Sequence, residues 1–315
     1  MSVFTSITHD ELTQFLATYS VGELVAFEGI SEGIENTNYF VTTTQTRYVL
    51  TLFEQLRFDE LPYFLNVMAF LSEHDVPSAH PIADKQQQYL RRLNGKPAAL
   101  VQCLSGKGVE QPTLEHCRSL GSALGRFHQH SPTFKACRPN TRGSAWWQES
   151  LHKLRAKISP EEVQCLSDEI AFQAQYPRDH LPQGVIHADL FRDNALFEGE
   201  RLSGIIDFYY ACNDALLYDL VVAVNDWCSR SDGSLSVDKV KALVSAYELE
   251  RPLQADEKSL WSVMLRASAM RFWLSRLVDF HFPRPGELTH AKDPQVFARI
   301  FKHRVAHCDV LQAIW

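Results

Sequence analysis

In VIHADLFRDNALF, residues 185–197, two Asp, an Asn, a His and an Arg fall within eight positions flanked by apolar residues. Asp189 supplies a carboxylate and Asn194, five residues on, a carboxamide; a further carboxylate, Asp207 in GIIDF, follows thirteen residues later. Hard cations such as Mg²⁺ take one or two carboxylate or amide oxygens from a protein and leave the remaining positions to water and phosphate. Asn194 and Asp207 suit that role, which leaves Asp189 to accept a proton. Asp and Asn also form turns for reasons of their own, so the elements around them must decide whether the oxygens converge.

Three short runs, GVI, ALF and RLSGIID, read as strands between residues 184 and 207, and strand, loop, strand, turn, strand predicts one small sheet with all three side chains at one end. This stretch interrupts a helical region. Apolar periodicity predicts helices over 113–130, 144–157, 160–175, 214–230, 235–248, 255–278 and 294–312. The first hundred residues read differently. A helix over 8–19 carries a Thr8/Glu11 capping box. Aromatic and β-branched runs at 37–43 and 47–53 predict a hairpin, as do Tyr89–Leu93 and Ala98–Cys103 around Asn94-Gly95. Between the hairpins, Leu61, Phe64, Leu65, Met68 and Leu71 mark a helix with one apolar face. The flexible LSGKG segment closes this part, so the sequence divides into a β-rich lobe, 1–104, and a larger helical lobe, 105–315, an α+β arrangement.

At 315 residues, 45% hydrophobic and 22% charged, the chain is long enough for two lobes with separate cores. A net charge of −7 offers no diffuse basic surface, which argues against nucleic acid and anionic membrane as partners. The N-terminal MSVFTSITHDELTQF has no signal-peptide pattern, and no run of 18 apolar residues occurs, so a cytoplasmic location is expected. Seven cysteines without a CxxC read as buried thiols, not as a disulfide framework or zinc module. His303 and His307 lie four apart on a helix but have no evident third ligand.

HADLFRDN followed by IIDF resembles the catalytic loop and metal-binding Asp of the bilobal protein-kinase-like fold, in its aminoglycoside-phosphotransferase branch. The resemblance implies ATP and Mg²⁺ as cofactors, Asp189 positioning or deprotonating an acceptor hydroxyl, and Asn194 and Asp207 holding the metal. His187 then reads as a buried support of the loop, and Arg192 as a support that meets either phosphate or a carboxylate. EGISEGIENTNYF, residues 28–40, stands where this fold has its nucleotide loop; Gly29 and Gly33 would permit close backbone approach, and Asn36, Thr37 and Asn38 would donate to phosphate. Adenine would lie against Val49 and the linker of residues 101–104, including Gln102 and Leu104. Two positions depart from the pattern: Ala188 replaces a glycine common in the branch, and Thr51 stands where kinases place the phosphate-binding Lys.

Across most of its length the chain resembles the homoserine kinases built on this scaffold, in GIENTNYFV, YVLTLFE, LGSALGRFHQH, HADLFRDNALF, GIIDFYYAC, LYDL, NDWCS and RFWLSRL. The resemblance implies MgATP-dependent phosphorylation of the side-chain hydroxyl of L-homoserine, a step toward threonine. Such an acceptor needs a cation for its carboxylate and an oxygen for its ammonium. Arg271, on the apolar side of the 255–278 helix, is the candidate cation, with a structural Asp or Glu partner as the alternative. Asp226 in NDW and Asp219 in LYDL are candidate oxygens, with tying their helix to the catalytic loop as the alternative, the reading preferred for Asp219. Two rivals stay open. One is a kinase of the same fold acting on choline, methylthioribose or an aminoglycoside; the other is a nucleotide-binding pseudokinase. The oligomeric state is not encoded legibly.

Overall fold

The computed structural model describes residues 4–30, 36–283 and 292–312. The chain divides into two compact units, Met1–Gly106 with Ser203–Tyr209, and Lys107–Leu202 with Tyr210–Trp315.

In the first unit, α1 (His9–Leu16) begins at the capping box, in which Thr8 Oγ1 accepts the Glu11 N–H and Glu11 accepts that of Thr8. The strands β1 (Leu24–Gly29), β2 (Thr37–Thr43), β3 (Arg47–Leu52), β4 (Leu90–Leu93) and β5 (Lys96–Gln102) form one antiparallel sheet in the order β1-β2-β3-β5-β4. Both predicted hairpins are present. Asn94 and Gly95 have φ of +49° and +76°, the left-handed pair that a tight two-residue connection requires. Strand alternation then sorts the side chains. Tyr39, Val41, Tyr48, Leu50 and Leu52 face inward, where Leu12, Phe15 and Leu16 of α1 complete a core. Asn38, Phe40, Val49 and Thr51 belong to the opposite face. The helix α2 (Leu61–Ser72) buries Leu61, Phe64, Leu65, Met68 and Leu71, the predicted stripe. Residues 203–209 join this unit through Ile205, whose N–H donates to the Pro77 carbonyl, and Tyr209, whose ring meets Phe53 edge-on at 5.0 Å.

In the second unit the helices are α3 (Leu114–His130), α4 (Ser144–Leu154), α5 (Pro160–Gln173), α6 (Leu216–Trp227), α7 (Val237–Glu250), α8 (Ala255–Ser259), α9 (Trp261–His281), α10 (Pro294–Ala306) and α11 (Cys308–Gln312). The predicted 255–278 and 294–312 helices are each two helices, interrupted at Leu260 and at His307, which leave helical geometry. Helix α3 lies tight on α7: a Cβ on Gly125 would stand 2.8 Å from the Tyr247 carbonyl oxygen, and one on Gly121 would collide with that of Leu243. Among the described residues no helix is long and apolar enough to cross a membrane.

The strands flanking the HADLFRDN loop form two sheets where one was expected. β6 (Gln183–Ile186) pairs with β9 (Cys212–Ala215), and β7 (Ala195–Glu198) pairs with β8 (Arg201–Ile205). β9 falls where the sequence predicts the start of a helix. Its residues, Cys-Asn-Asp-Ala, have little intrinsic strand preference, so pairing with β6 decides their conformation.

Candidate active site

The loop that follows β6 is bound to one helix at three points. Asp219, in the first turn of α6 and fully buried, accepts the backbone N–H of His187 at 2.7 Å and of Ala188 at 2.8 Å. It also meets His128 Nε2 at 3.2 Å, while the other nitrogen of His128 meets the Tyr247 hydroxyl at 2.8 Å. Burial alone would raise the Asp219 carboxyl, but hydrogen bonds from His128 and the loop amides outweigh it and hold Asp219 below its ordinary range. Burial pushes His128 the other way, toward the neutral imidazole. Two turns further along the same face of α6, Asp226 accepts the Arg192 N–H at 2.8 Å and its Nε at 3.1 Å. Trp227 Nε1 adds a bond to the Leu190 carbonyl at 3.1 Å.

These anchors fix a strained backbone. Ala188 has φ of +64°, a left-handed conformation that costs a residue with a Cβ about 1 kcal/mol or more. Its N–H bond to Asp219 helps hold it there, which explains how alanine serves where glycine is the easier choice. The strained turn presents Asp189. Asn194 Nδ2 donates to the Asp189 carbonyl at 2.8 Å and to its carboxylate Oδ2 at 3.2 Å. With its amide nitrogen so engaged, Asn194 has Oδ1 to offer, the atom a hard cation takes.

Asp207, in the first unit, also has a left-handed backbone, φ +63°, and is exposed. Burial and the Asp207 charge both raise the Tyr209 phenol, against a hydrogen bond to Thr51. Thr51 Oγ1 in turn donates to Asn38 Oδ1 at 2.8 Å. Thr51 and Asn38 are therefore hydrogen-bonded across β3 and β2, with Tyr209 beside Thr51.

The phosphotransferase enzyme family matches residues 26–253. Two curated relatives agree over the full length: the homoserine kinase of Methylobacillus flagellatus is 48% identical, covering 100% of this chain and 99% of that one, and the homoserine kinase of Neisseria meningitidis serogroup B is 45% identical, covering 95% and 98%. The chain belongs to the phosphotransferase enzyme family, among its homoserine kinases. Solved structures give the same fold. An amicoumacin kinase in complex with AMP-PNP, Ca²⁺ and its ligand superposes with a TM-score of 0.72 at 14% identity, covering 96% of this chain and 94% of that one. A spectinomycin phosphotransferase in complex with ADP and spectinomycin gives 0.66 at 13%, covering 99% and 100%. The bilobal protein-kinase-like fold expected from the sequence is thus the fold of this phosphotransferase.

Several sequence-predicted residues of this homoserine kinase have more specific surroundings than the sequence conveyed. His187 is fully buried, and its Nδ1 faces the Asp189 N–H at 3.3 Å. Arg192 meets a carboxylate, Asp226, and its Nη1 donates to the Glu110 carbonyl at 2.6 Å. Both oxygens of Asp226 are engaged by Arg192, the second at 3.2 Å from Nη2. Thr37 is buried on the core side of the sheet, where its hydroxyl donates to Glu54 at 2.7 Å and accepts the N–H groups of Phe4 and Thr5. Its side chain therefore points away from the face that carries Asn38. Gly29 ends β1, and Asn36 Oδ1 accepts the Glu54 N–H at 3.4 Å; Gly33 lies outside the described residues. Val49 pairs with Val101, the Gln102 N–H donates to the His80 carbonyl at 2.9 Å, and Leu104 packs against Gly204. Arg271 is buried beside Asp189. His128 and Tyr209 were not singled out from sequence. The apolar stripe of α3 absorbs the one, and the other reads as a core aromatic after IIDF.

Proposed function

We propose that this chain transfers the γ-phosphoryl group of MgATP to the side-chain hydroxyl of L-homoserine, giving O-phospho-L-homoserine and ADP. The observation that carries the mechanism is the Asp189 carboxylate, set on a strained, fully anchored turn and steered by the Asn194 amide. Asp189 orients the acceptor hydroxyl for in-line attack on the γ-phosphorus. As the new oxygen–phosphorus bond forms and the bond to ADP breaks, Asp189 takes the hydroxyl proton. Asn194 Oδ1 and the Asp207 carboxylate are the oxygens that would hold Mg²⁺, which when bound would neutralise charge on the transferring phosphates.

The residues of 1–104 hold the nucleotide and those of 105–315 the acceptor. Asn38, its Oδ1 occupied by Thr51, directs its amide N–H groups to phosphate, so a neutral donor takes the place of the lysine. Backbone at Gly29, Asn36 and Thr37 would complete the phosphate contacts, and Val49, Gln102 and Leu104 would flank adenine. The reaction calls for neither nucleic acid nor membrane and suits a cytoplasmic enzyme.

An ADP-coupled assay over L-homoserine, choline, methylthioribose and an aminoglycoside tests the reading. Homoserine should exceed every other acceptor by at least about 10²-fold in kcat/KM, the discrimination available to a site whose buried polar groups match one substrate. A preference for another acceptor replaces the substrate assignment, and ATP binding without turnover of any acceptor replaces the activity.

A further inference from the structure

We propose that Arg271 binds the carboxylate of the acceptor and thereby restricts the site to amino-acid hydroxyls. The inference rests on the kinase reading above and adds the group that selects the substrate.

Arg271 is only 4% exposed on α9. Among the described residues its guanidinium donates no hydrogen bond; its one carboxylate neighbour is Asp189, with Nη1 4.0 Å from Oδ1, beyond hydrogen-bonding reach. Aromatic rings cover its flat surface. The ring of Phe272 lies 3.9 Å from the guanidinium carbon and that of Tyr210 5.8 Å. Stacking fixes the plane of the group without satisfying its five N–H donors.

The same unit contains a buried arginine whose role is structural, and it is treated differently. Arg304 is fully buried, and its Nε donates to Asn225 Oδ1 at 2.8 Å, its Nη1 to the Gly233 carbonyl at 2.7 Å and its Nη2 to Ser229 Oγ at 2.7 Å. The fold thus provides acceptors for a buried guanidinium that it uses for packing. Arg271 is nearly as inaccessible to solvent and, among the described residues, has no such acceptors. A buried cation in that condition is costly unless an anion completes it.

A carboxylate matches the guanidinium fork with two parallel charge-assisted hydrogen bonds. The ligand must also bring a hydroxyl to Asp189, so hydroxyl and carboxylate must belong to one short molecule. Homoserine meets this condition, since three carbons separate its hydroxyl oxygen from its carboxylate carbon. The same guanidinium disfavours the rival acceptors. It repels choline and polycationic aminoglycosides, and methylthioribose leaves its donors unpaired.

Steady-state kinetics with the full chain test this, comparing L-homoserine with 2-aminobutane-1,4-diol, in which CH₂OH replaces the carboxylate. The wild type should prefer homoserine by roughly 10²-fold to 10⁴-fold in kcat/KM. In Arg271→Met the preference should fall to within about tenfold, mainly through KM for homoserine, while KM for ATP stays within about threefold. Arg271→Lys, which keeps a cation but loses the fork, should be intermediate. Equal use of both acceptors by the wild type overturns the proposal without recourse to any variant. A folded Arg271→Met that retains the full preference also overturns it, and leaves the kinase reading intact. Failure of the wild type to phosphorylate homoserine at all overturns the kinase reading itself.

Discussion

The turn bearing Asp189 and the strand face bearing Asn38 solve the same problem, holding a polar group at a fixed place, by different means. The turn is held by ionised groups, Asp219 on two backbone amides and Asp226 on Arg192. The strand face is held by a neutral bond, Thr51 to Asn38. The difference follows from backbone strain. A left-handed Ala188 needs strong, charge-assisted bonds to persist, whereas regular β-pairing already fixes residues 38 and 51 to within a side-chain rotation.

If that contrast is right, mutations on the two sides should differ in size and in readout. Asp219→Ala removes the acceptor of two buried amides and of His128, and should cost about 3–5 kcal/mol of stability in urea denaturation; a loss below about 1 kcal/mol would show the turn to be self-supporting. Asp226→Ala breaks a pair whose arginine is partly solvated, so its expected cost is smaller, about 1–2 kcal/mol, with kcat falling as the loop loosens. Thr51→Val leaves the sheet intact and frees the Asn38 amide to rotate. It should raise KM for ATP by about 3-fold to 10-fold, the equivalent of one neutral hydrogen bond, with a loss of about 1 kcal/mol in stability from the buried bond itself; unchanged KM would remove Asn38 from the phosphate site.

The smallest expected effect concerns pH. His128 is depressed in the folded state by burial, so its stabilising contribution is complete above the unfolded value of about 6.5 and is lost as pH falls below it. Asp219 is likewise depressed, and its contribution fails only in the more acidic range, below about 3.9. Melting temperatures between pH 7.5 and 5.5 should therefore decline less in His128→Gln than in the wild type. Parallel declines would show that His128 does not titrate in this window.

Local chemistry made much of this legible. The Thr8 capping box, the Asn94-Gly95 turn and the α2 stripe each rest on neighbours in sequence and appear as read. Asp189 and Asn194, five residues apart, also meet, through a hydrogen bond that the spacing alone does not specify. What sequence did not convey depends on partners far along the chain. β9 is a strand because β6 lies beside it, and Thr37 differs from Asn38 because α1 fills one face of the sheet. Asp219 and Asp226, seven residues apart on α6, carried a readable signal: two carboxylates on one face of an apolar helix require partners. The reading of Asp219 as a tie to the catalytic loop agrees with its bonds to the His187 and Ala188 amides, whereas which loop atoms each carboxylate takes is a matter of tertiary structure.

Phosphorus NMR of the products formed from MgATP and L-homoserine, wild type against Asp189→Asn, addresses the assignment of the reacting carboxylate most directly. The wild type should form O-phospho-L-homoserine, and the variant should do so with kcat lower by roughly 10²-fold to 10⁴-fold while ATP affinity stays within about threefold. Near-normal phosphohomoserine formation by Asp189→Asn would contradict the account.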